Sequence, residues 1–521
     1  MEDIESLEKI ALKAKKISDV IASFPGEIRI ISHYDCDGIC SAAILVKALL
    51  REGKAFHLSF IKQLYEEDII ELKKENRKLI VFTDMGSGQL GIIQKHLLGK
   101  GNKIIISDHH QVQGEVISDN VLHLNPVDFG IEENISGSGM AYLIARALCY
   151  ENMDLSELGV IGAIGDSQIG SIGADWGLFG LNKEILKDAE KTGKIKIKKG
   201  LRLWGRNTRP VHKALEYSVD PYIPGVSGSE SASVHFLQEI GIRLKDEAGK
   251  WRTLNDLSHE EVKTLASGII KQRVAGNEDN PEHIFGDVYE LLTKPEYSDA
   301  NEFATLLNAC GKTGNGFLGV ALCLNDPLSF SEVKGILDNY RKDIGKALNW
   351  IYKNKESIRK TENANYITAG RNIPEHVASN VISIISKSAL LPDKPTFAFV
   401  DAENGTTKIS ARLSDSLVKQ GLNLKDIMAQ SASEADGEGG GHAGAAGAKI
   451  PRGNEEMFIN TIEKIMKNRN VKKEVKSNGA TKSEGSEGRA KGEAKASIKT
   501  IREKRDSKKV EGKGLVRYLG S

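Results

Sequence analysis

Three short segments of this chain end in side chains that can hold metal ions or move protons: His33-Tyr34-Asp35-Cys36-Asp37-Gly38, the lone Asp84, and Asp108-His109-His110. A fourth candidate, Asp166, closes the small-residue run Gly159 to Gly165, whose lack of bulk lets backbone approach a crowded centre. Carboxylates gathered in one place repel by roughly 4 kcal/mol per pair at about 4 Å, even at an effective dielectric of about 20. No Lys or Arg cluster adjoins these residues in the sequence, so compensating cations must come from outside the chain. Mixed carboxylate and imidazole ligands suit Mn²⁺ or Mg²⁺, with histidine tilting the choice toward manganese, whereas a structural zinc site usually draws on cysteines. Six or more ligands exceed one such ion's usual protein share. The set therefore points to two ions per site, about 3.5–4 Å apart, activating water for in-line attack on phosphorus. Cys36 and Cys40 with His33 offer a zinc alternative, but no second cysteine pair follows.

The apolar pattern shows what must position these residues. Apolar side chains at helical spacing run from residue 4 to 23 and stop before Pro25, so an amphipathic helix opens the chain. Runs rich in Ile, Val and Phe follow at 27–32, 56–60, 79–83 and 103–107, separated by helix-compatible segments at 41–51, 66–77 and 88–98. That alternation predicts an α/β fold with a mostly parallel sheet covered on both faces. The acidic and imidazole segments follow three of these strands, and the carboxyl edge of an open α/β sheet is where ligands bind.

The 521 residues carry 72 Lys and Arg against 71 Asp and Glu, a net charge of +1 that looks too neutral for a polyanion binder. The charge is unevenly placed. From Asn468 to Ser521 there are 16 Lys and Arg against 7 Asp and Glu, a net of +9, which leaves −8 for residues 1 to 467. Length and composition describe two to four globular domains and exclude a fibrous or wholly disordered chain. No apolar run reaches the roughly 18 residues needed to span a bilayer, Glu2, Asp3 and Glu5 do not read as a secretory signal, and five cysteines in so long a chain suit a reducing compartment. The expectation is a cytoplasmic protein without a membrane partner.

The expected organisation is a catalytic domain at 1–195, an inserted subdomain at 196–300 rich in charge and turns, and the end of the catalytic core with a connecting helix at 301–360. A smaller α/β domain follows at 361–467, and a basic tail at 468–521, rich in Lys, Glu, Gly, Ser and Ala, reads as disordered. In the smaller domain, Gly439-Gly-Gly-His442 reads either as a flexible turn or as a nest of backbone N–H groups with an imidazole against a phosphate.

These residues together resemble the DHH phosphoesterases, a family named for the triplet seen here as Asp108-His109-His110. The resemblance covers most of residues 25 to 450 and includes the His33 to Gly38 segment, Thr83-Asp84, Gly165-Asp166 and Gly439 to His442. Within the family, Gly205-Arg-Asn-Thr-Arg-Pro210, Pro224-Gly225 and Leu306-Leu-Asn-Ala-Cys-Gly311 look like the archaeal RecJ-like single-strand exonucleases. The resemblance implies an N-terminal DHH domain and a C-terminal DHHA1 substrate-binding domain. It implies that His33 and Asp35 bind one metal, that Asp37, His109 and Asp166 bind the other, and that Asp84 bridges both. His110 falls where the family contacts the scissile phosphate or leaving group, and Asp108 where a carboxylate orients neighbouring imidazoles. Ser410 and Arg412 match the family's Ser-x-Arg phosphate contact, joined by Gly439, Gly440, Gly441 and His442. Lys312 stands where relatives commonly have Arg, and meets a phosphate as a point charge instead of a fork.

The function so implied is a Mn²⁺- or Mg²⁺-dependent exonuclease acting on single-stranded DNA or RNA in replication or repair. Its implied partners are single-stranded nucleic acid, the GINS complex and the replicative helicase. Two alternatives stand beside it: a phosphodiesterase for oligoribonucleotides or cyclic dinucleotides, and a replication scaffold of the same fold that has lost catalysis.

Overall fold

The computed structural model describes residues 4–99, 101–131, 135–172, 175–218, 220–278, 280–386, 388 and 390–480. The chain divides into two compact units, with the division at Lys346/Ala347. Among the described residues, no helix is long and apolar enough to cross a membrane.

The first unit opens with α1 (Ile4–Ser23), whose Ile10, Ala14, Ile17 and Ile21 are buried, as the helical spacing requires. A five-stranded sheet follows, built from β1 (Ile28–His33), β2 (Phe56–Ile61), β3 (Leu79–Thr83), β4 (Lys103–Ser107) and β5 (Val121–Leu124) in the order β2-β1-β3-β4-β5. Every neighbouring pair is parallel. Helices α2 (Cys36–Arg51), α3 (Glu66–Lys74) and α4 (Leu90–Leu97) provide the crossovers. Strand β3 is buried throughout and β1 through its first five residues, which explains unbroken apolar runs where an exposed face would have forced alternation. Strand order reverses between β1 and β3. Chains leave the sheet in opposite directions there, which opens a crevice at the carboxyl edge. Strand β5, which the sequence reading did not include, lies beyond β4 in register Ile104↔Val121 to Ser107↔Leu124.

Helices α5 (Gly137–Leu148), α6 (Ser156–Gly165) and α7 (Gly180–Lys191) complete this layer, with the small hairpin β6 (Gly170–Ile172) and β7 (Asp175–Gly177) between the last two. An antiparallel pair, β8 (Ile195–Leu201) and β9 (Phe285–Leu291), then encloses residues 202–284. That enclosed segment folds α8 (Val211–Glu216), α9 (Glu230–Glu239) and α10 (His259–Ala275) around its own core of Leu215, Phe236, Leu237, Leu265 and Ile269. The chain returns through α11 (Ala300–Lys312) and α12 (Gly316–Cys323), and α13 (Pro327–Lys353) carries it across the division between the units.

The second unit is a six-stranded mixed sheet in the order β10-β11-β12-β13-β15-β14, from β10 (Ile358–Lys360), β11 (Asn365–Gly370), β12 (Thr396–Asp401), β13 (Thr406–Arg412), β14 (Glu438–Gly441) and β15 (Ala445–Pro451). Its helices are α14 (Ala378–Ile385), α15 (Asp415–Lys419), α16 (Leu424–Glu434) and α17 (Glu455–Ala480). Tyr366, Phe397, Phe399 and Phe458 form the aromatic centre of its core.

Two boundaries and one local conformation differ from the sequence reading. Strand β10 already belongs to the second sheet, three residues before the boundary expected at 361. The glycine run read as a nest is strand β14, paired with β15 from Glu438↔Lys449 to Gly441↔Ala446. Of its three glycines only Gly441 has a positive φ, 136°, so the run lacks the repeated alternation of backbone conformations that makes a nest. Helix α17 continues to Ala480, through the first part of the segment expected to be disordered from 468. The remainder of that basic tail, residues 481–521, lies outside the described residues.

Candidate metal centre

The side chains singled out at 33–166 arrive from five elements, β1, α2, β3, β4 and α6. Strand β1 ends at His33, and Asp35 then caps α2, accepting the Gly38 N–H at 3.1 Å. Asp37, in the first turn of α2, is wholly buried. Its two oxygens accept N–H groups from Gly137 (2.6 Å) and Ser138 (2.9 Å) at the start of α5, where the helix dipole favours a negative charge. Asp84 follows β3 with φ 58°, a left-handed conformation that Asp and Asn tolerate better than most residues. Asp166 caps the C-terminus of α6.

These residues converge. His33 Nδ1 lies 3.1 Å from Asp35 Oδ1 and 3.4 Å from Asp84 Oδ2. His109 Nε2 lies 3.3 Å from Asp84 Oδ1, 3.6 Å from Asp166 Oδ2 and 3.8 Å from Asp37 Oδ2. Three groups have potential ligand atoms within 4.8 Å of one another: His33, Asp35 and Asp84; Asp37, His109 and Asp166; and Asp84, His109 and His110. Asp84 belongs to two of them. The approach is so close that a Cβ on Gly137 would collide with Asp84, and one on Gly162 with Asp37.

The polar balance of this cluster is incomplete within the protein. His33 Nδ1, both oxygens of Asp84 and His109 Nε2 are buried without a hydrogen-bond partner, although such atoms are nearly always paired in folded proteins. The titration directions agree. Burial pushes His109 down, but Asp84, Asp166 and Asp37 more than offset it and raise it to about 10. Burial likewise opposes a rise at His33, but Asp35 and Asp84 overcome it and raise His33 well above its ordinary value. Burial raises Asp37 far above the usual carboxylate range, reinforced by the charges of Asp84 and Asp166. The protein alone thus draws protons into the cluster, which is what an excess of negative charge does when no other cation is present. Oxygen and imidazole donors with orphaned lone pairs at this spacing fit divalent cations of the Mn²⁺ or Mg²⁺ kind.

Asp108 has a different role from its neighbours. It is fully buried, and Oδ2 accepts the Ser87 N–H at 2.9 Å, while Oδ1 accepts the N–H groups of His109 (2.8 Å) and His110 (3.2 Å). Burial works against its charge, but His110, His109 and the Ser87 N–H hold its carboxyl well below the usual range. His110, whose side chain is 44% exposed, is the outward member of the cluster. A supporting network that the sequence reading missed lies beneath the triplet. Asn125 Nδ2 donates to the His110 carbonyl (2.8 Å) and to Ser87 Oγ (2.9 Å), and His123 lies 2.9 Å from the same hydroxyl. Strand β5 delivers this network, and the Asp108 N–H donates to Leu124 at its end.

Helix α11 packs over the backbone of the loop between β1 and α2. Asn308 Oδ1 accepts the Cys36 N–H at 3.0 Å, and a Cβ on Gly311 would collide with the Tyr34 carbonyl. Lys312 is the next residue, so the structure brings it to the loop that carries Asp35 and Asp37.

In the second unit, register places Ser410, Gly447 and Gly440 in one row across β13, β15 and β14, with Arg412 two residues beyond Ser410 on the same face. A Cβ on Gly440 would meet nothing, whereas one on Gly439 would strike the Met428 carbonyl of α16. Packing therefore requires one glycine and leaves the other beside open space. Arg412 Nε donates to Ser383 Oγ (2.8 Å) and Nη2 to the Ser379 carbonyl (3.2 Å). Burial alone lowers it to about 10, and no carboxylate among the described residues pairs with it. His442 is exposed at the turn between β14 and β15, where its N–H donates to the Ala445 carbonyl at 2.8 Å.

An all-parallel sheet carrying such a cluster at its switch point, followed by a mixed-sheet domain, is an α/β phosphoesterase fold. The chain belongs to the DHH family: the model of the DHH family N-terminal domain matches residues 27–163, that of the DHH-CID domain residues 203–283, and that of the DHHA1 domain residues 363–468. An uncharacterized protein of Methanocaldococcus jannaschii is 34% identical over 473 residues, covering 89% of this chain and 98% of that one. The single-stranded-DNA-specific exonuclease RecJ of Thermus thermophilus is 27% identical over 243 residues, which span 44% of this chain but only 34% of RecJ. The crystal structure of that RecJ with Mn²⁺ aligns over 89% of this chain and 55% of its own, with a TM-score of 0.54 and 17% identity. CDC45 of Entamoeba histolytica aligns over 89% of this chain and 99% of its own, with a TM-score of 0.57 and 14% identity.

Proposed function

We propose that this chain is a divalent-metal-dependent exonuclease that hydrolyses phosphodiester bonds of single-stranded nucleic acid with two ions in its first unit. The observation that carries the reading is the set of buried, unpartnered ligand atoms on His33, Asp84 and His109. His33 and Asp35 would hold one cation, Asp37, His109 and Asp166 the other, and Asp84 would serve both. Bound Mn²⁺ or Mg²⁺ supplies Lewis-acid polarisation of the phosphoryl group and a more acidic water.

The chain's own residues do the rest. Asp108 holds His110 by its Nδ1 at 2.7 Å, leaving the opposite edge of an exposed imidazole to meet a phosphate oxygen or a leaving group. Arg412, desolvated and without a carboxylate, has donors suited to phosphate oxygens. Ser410, Gly440 and its neighbours Gly439 and Gly441, His442 and Lys312 complete the proposed strand contacts. The named activity of Thermus RecJ supports single-stranded DNA as substrate, and the GINS complex and the replicative helicase are proposed as partners on the sequence resemblance alone. Digestion of single-stranded DNA and RNA, each labelled at either end, with Mn²⁺ tests the reading. Progressive shortening from one end is expected; exclusive cleavage of dinucleotides would transfer the protein to the small-substrate phosphodiesterases.

A further inference from the structure

Two uncharged amides hold one half of this centre together. Gln168 Nε2 donates to Asp166 Oδ2 at 2.9 Å and to the Ile135 carbonyl at 3.2 Å, and lies 3.3 Å from His109 Nδ1. Its Oε1 accepts Asn182 Nδ2 at 2.6 Å. Asn182, on α7 and almost wholly buried, accepts the Ser136 N–H at 3.3 Å. Ser136 caps α5, and the next two N–H groups of that helix hold both oxygens of Asp37. Hydrogen bonds therefore tie these two amides to Asp166 and to the Ser136 cap, whose next two N–H groups hold Asp37, with His109 Nδ1 in contact at 3.3 Å; among the described residues the two amides make no bond to His33 or Asp35.

Backbone geometry brings Gln168 to this place. Helix α6 ends in paired bonds from Ser167 N–H to the Ile164 carbonyl (3.1 Å) and from Gln168 N–H to the Ala163 carbonyl (2.9 Å), with Ser167 left-handed at φ 60°. This Schellman turn folds the chain back over Asp166. Ligands that arrive from separate elements and repel one another need such tethers if they are to hold ligand geometry before a cation arrives.

We propose that Gln168, backed by Asn182, is a positioning residue that presets the Asp37, His109 and Asp166 half of the centre for its cation. The proposal rests on the metal reading above. Its test is titration of Mn²⁺ alone into the full chain, followed by calorimetry and by electron paramagnetic resonance. Wild type should bind two ions and give a spin-coupled signal. Gln168→Met keeps the side-chain length but makes none of these bonds. It should bind one ion about 10–100-fold more weakly, leave the other unchanged, and lose the coupled signal at low Mn²⁺, with the metal-free melting temperature of wild type. Asn182→Ala should act in the same direction, and the double variant should be no worse than Gln168→Met alone, since the residues are links of one line. If Gln168→Met melts early, Asn182→Ala carries the comparison. Wild-type affinity for both ions, or equal weakening of both, overturns the proposal and leaves the metal reading standing. A wild-type chain that binds no Mn²⁺ overturns the metal reading itself.

Discussion

Asp108 Oδ1 lies 2.7 Å from His110 Nδ1 and also accepts the backbone N–H groups of both histidines, so one buried oxygen fixes a side chain and the turn that carries it. Asp108→Asn keeps the shape but replaces one acceptor oxygen with a donor. Turnover at saturating Mn²⁺ should fall about 10–100-fold while the number of bound ions stays at wild type. Loss of an ion would make Asp108 a ligand instead of an orienting group.

Asp84 calls for a different substitution. Its φ of 58° suits asparagine, so Asp84→Asn avoids the backbone strain that alanine would add. Mn²⁺-dependent hydrolysis should be abolished. The metal-free protein should melt higher than wild type, because one of three mutually repelling carboxylates has gone; at this size each kcal/mol relieved is worth about 2–4 °C or less. Differential scanning calorimetry in a chelator, beside the nuclease assay, reads both outcomes.

Adding Mn²⁺ to the metal-free chain should raise the melting temperature of the first unit. An ion present at 100 times its dissociation constant contributes about 2.7 kcal/mol when it binds only the folded state. Chelator should reverse the shift, and Asp84→Asn should show little of it.

Arg412→Ala should weaken binding of a single strand and lower the slope of log affinity against log salt by about one, the signature of one lost phosphate contact. Binding isotherms at several salt concentrations measure it. An unchanged slope would leave Arg412 only its contacts with Ser383 and Ser379.

In the enclosed segment, Arg252 grips Glu261 with two bonds of 2.7 Å. That hydrogen bonding, against the opposing effect of burial, holds the Glu261 carboxyl at about 2. A carboxyl depressed on folding contributes stability that is fully present above its ordinary value near 4.5 and is lost as pH falls toward 2. Glu261→Gln should remove this part of the acid dependence, measured as the melting temperature between pH 5 and 2.5.

Much of the centre was legible because chemistry and pattern coincided. Strands β1, β3 and β4 are buried apolar runs, and each is followed by an acidic or imidazole residue within a few positions. Strand β5 was hidden by its four-residue length and by His123, which points into a polar network that only the fold assembles. Gln168 and Asn182 carry no charge and follow no motif, and it is a left-handed turn at Ser167 that brings Gln168 beside Asp166. Strand β14 is not legible because three glycines have little strand propensity, and what holds them is pairing with β15 and the close approach of α16 to Gly439.

Asn308 and Gly311 clamp the loop holding Asp35 and Asp37 from a distance of 272 positions along the chain, with the whole enclosed segment made in between. At about 5–20 residues per second of synthesis, the loop waits many seconds for its clamp. The candidate ligands on that loop are thus made well before the residues that clamp it, and the cluster is completed only when α11 arrives. For that interval a nascent chain carries these carboxylates and imidazoles without the clamp that fixes their loop.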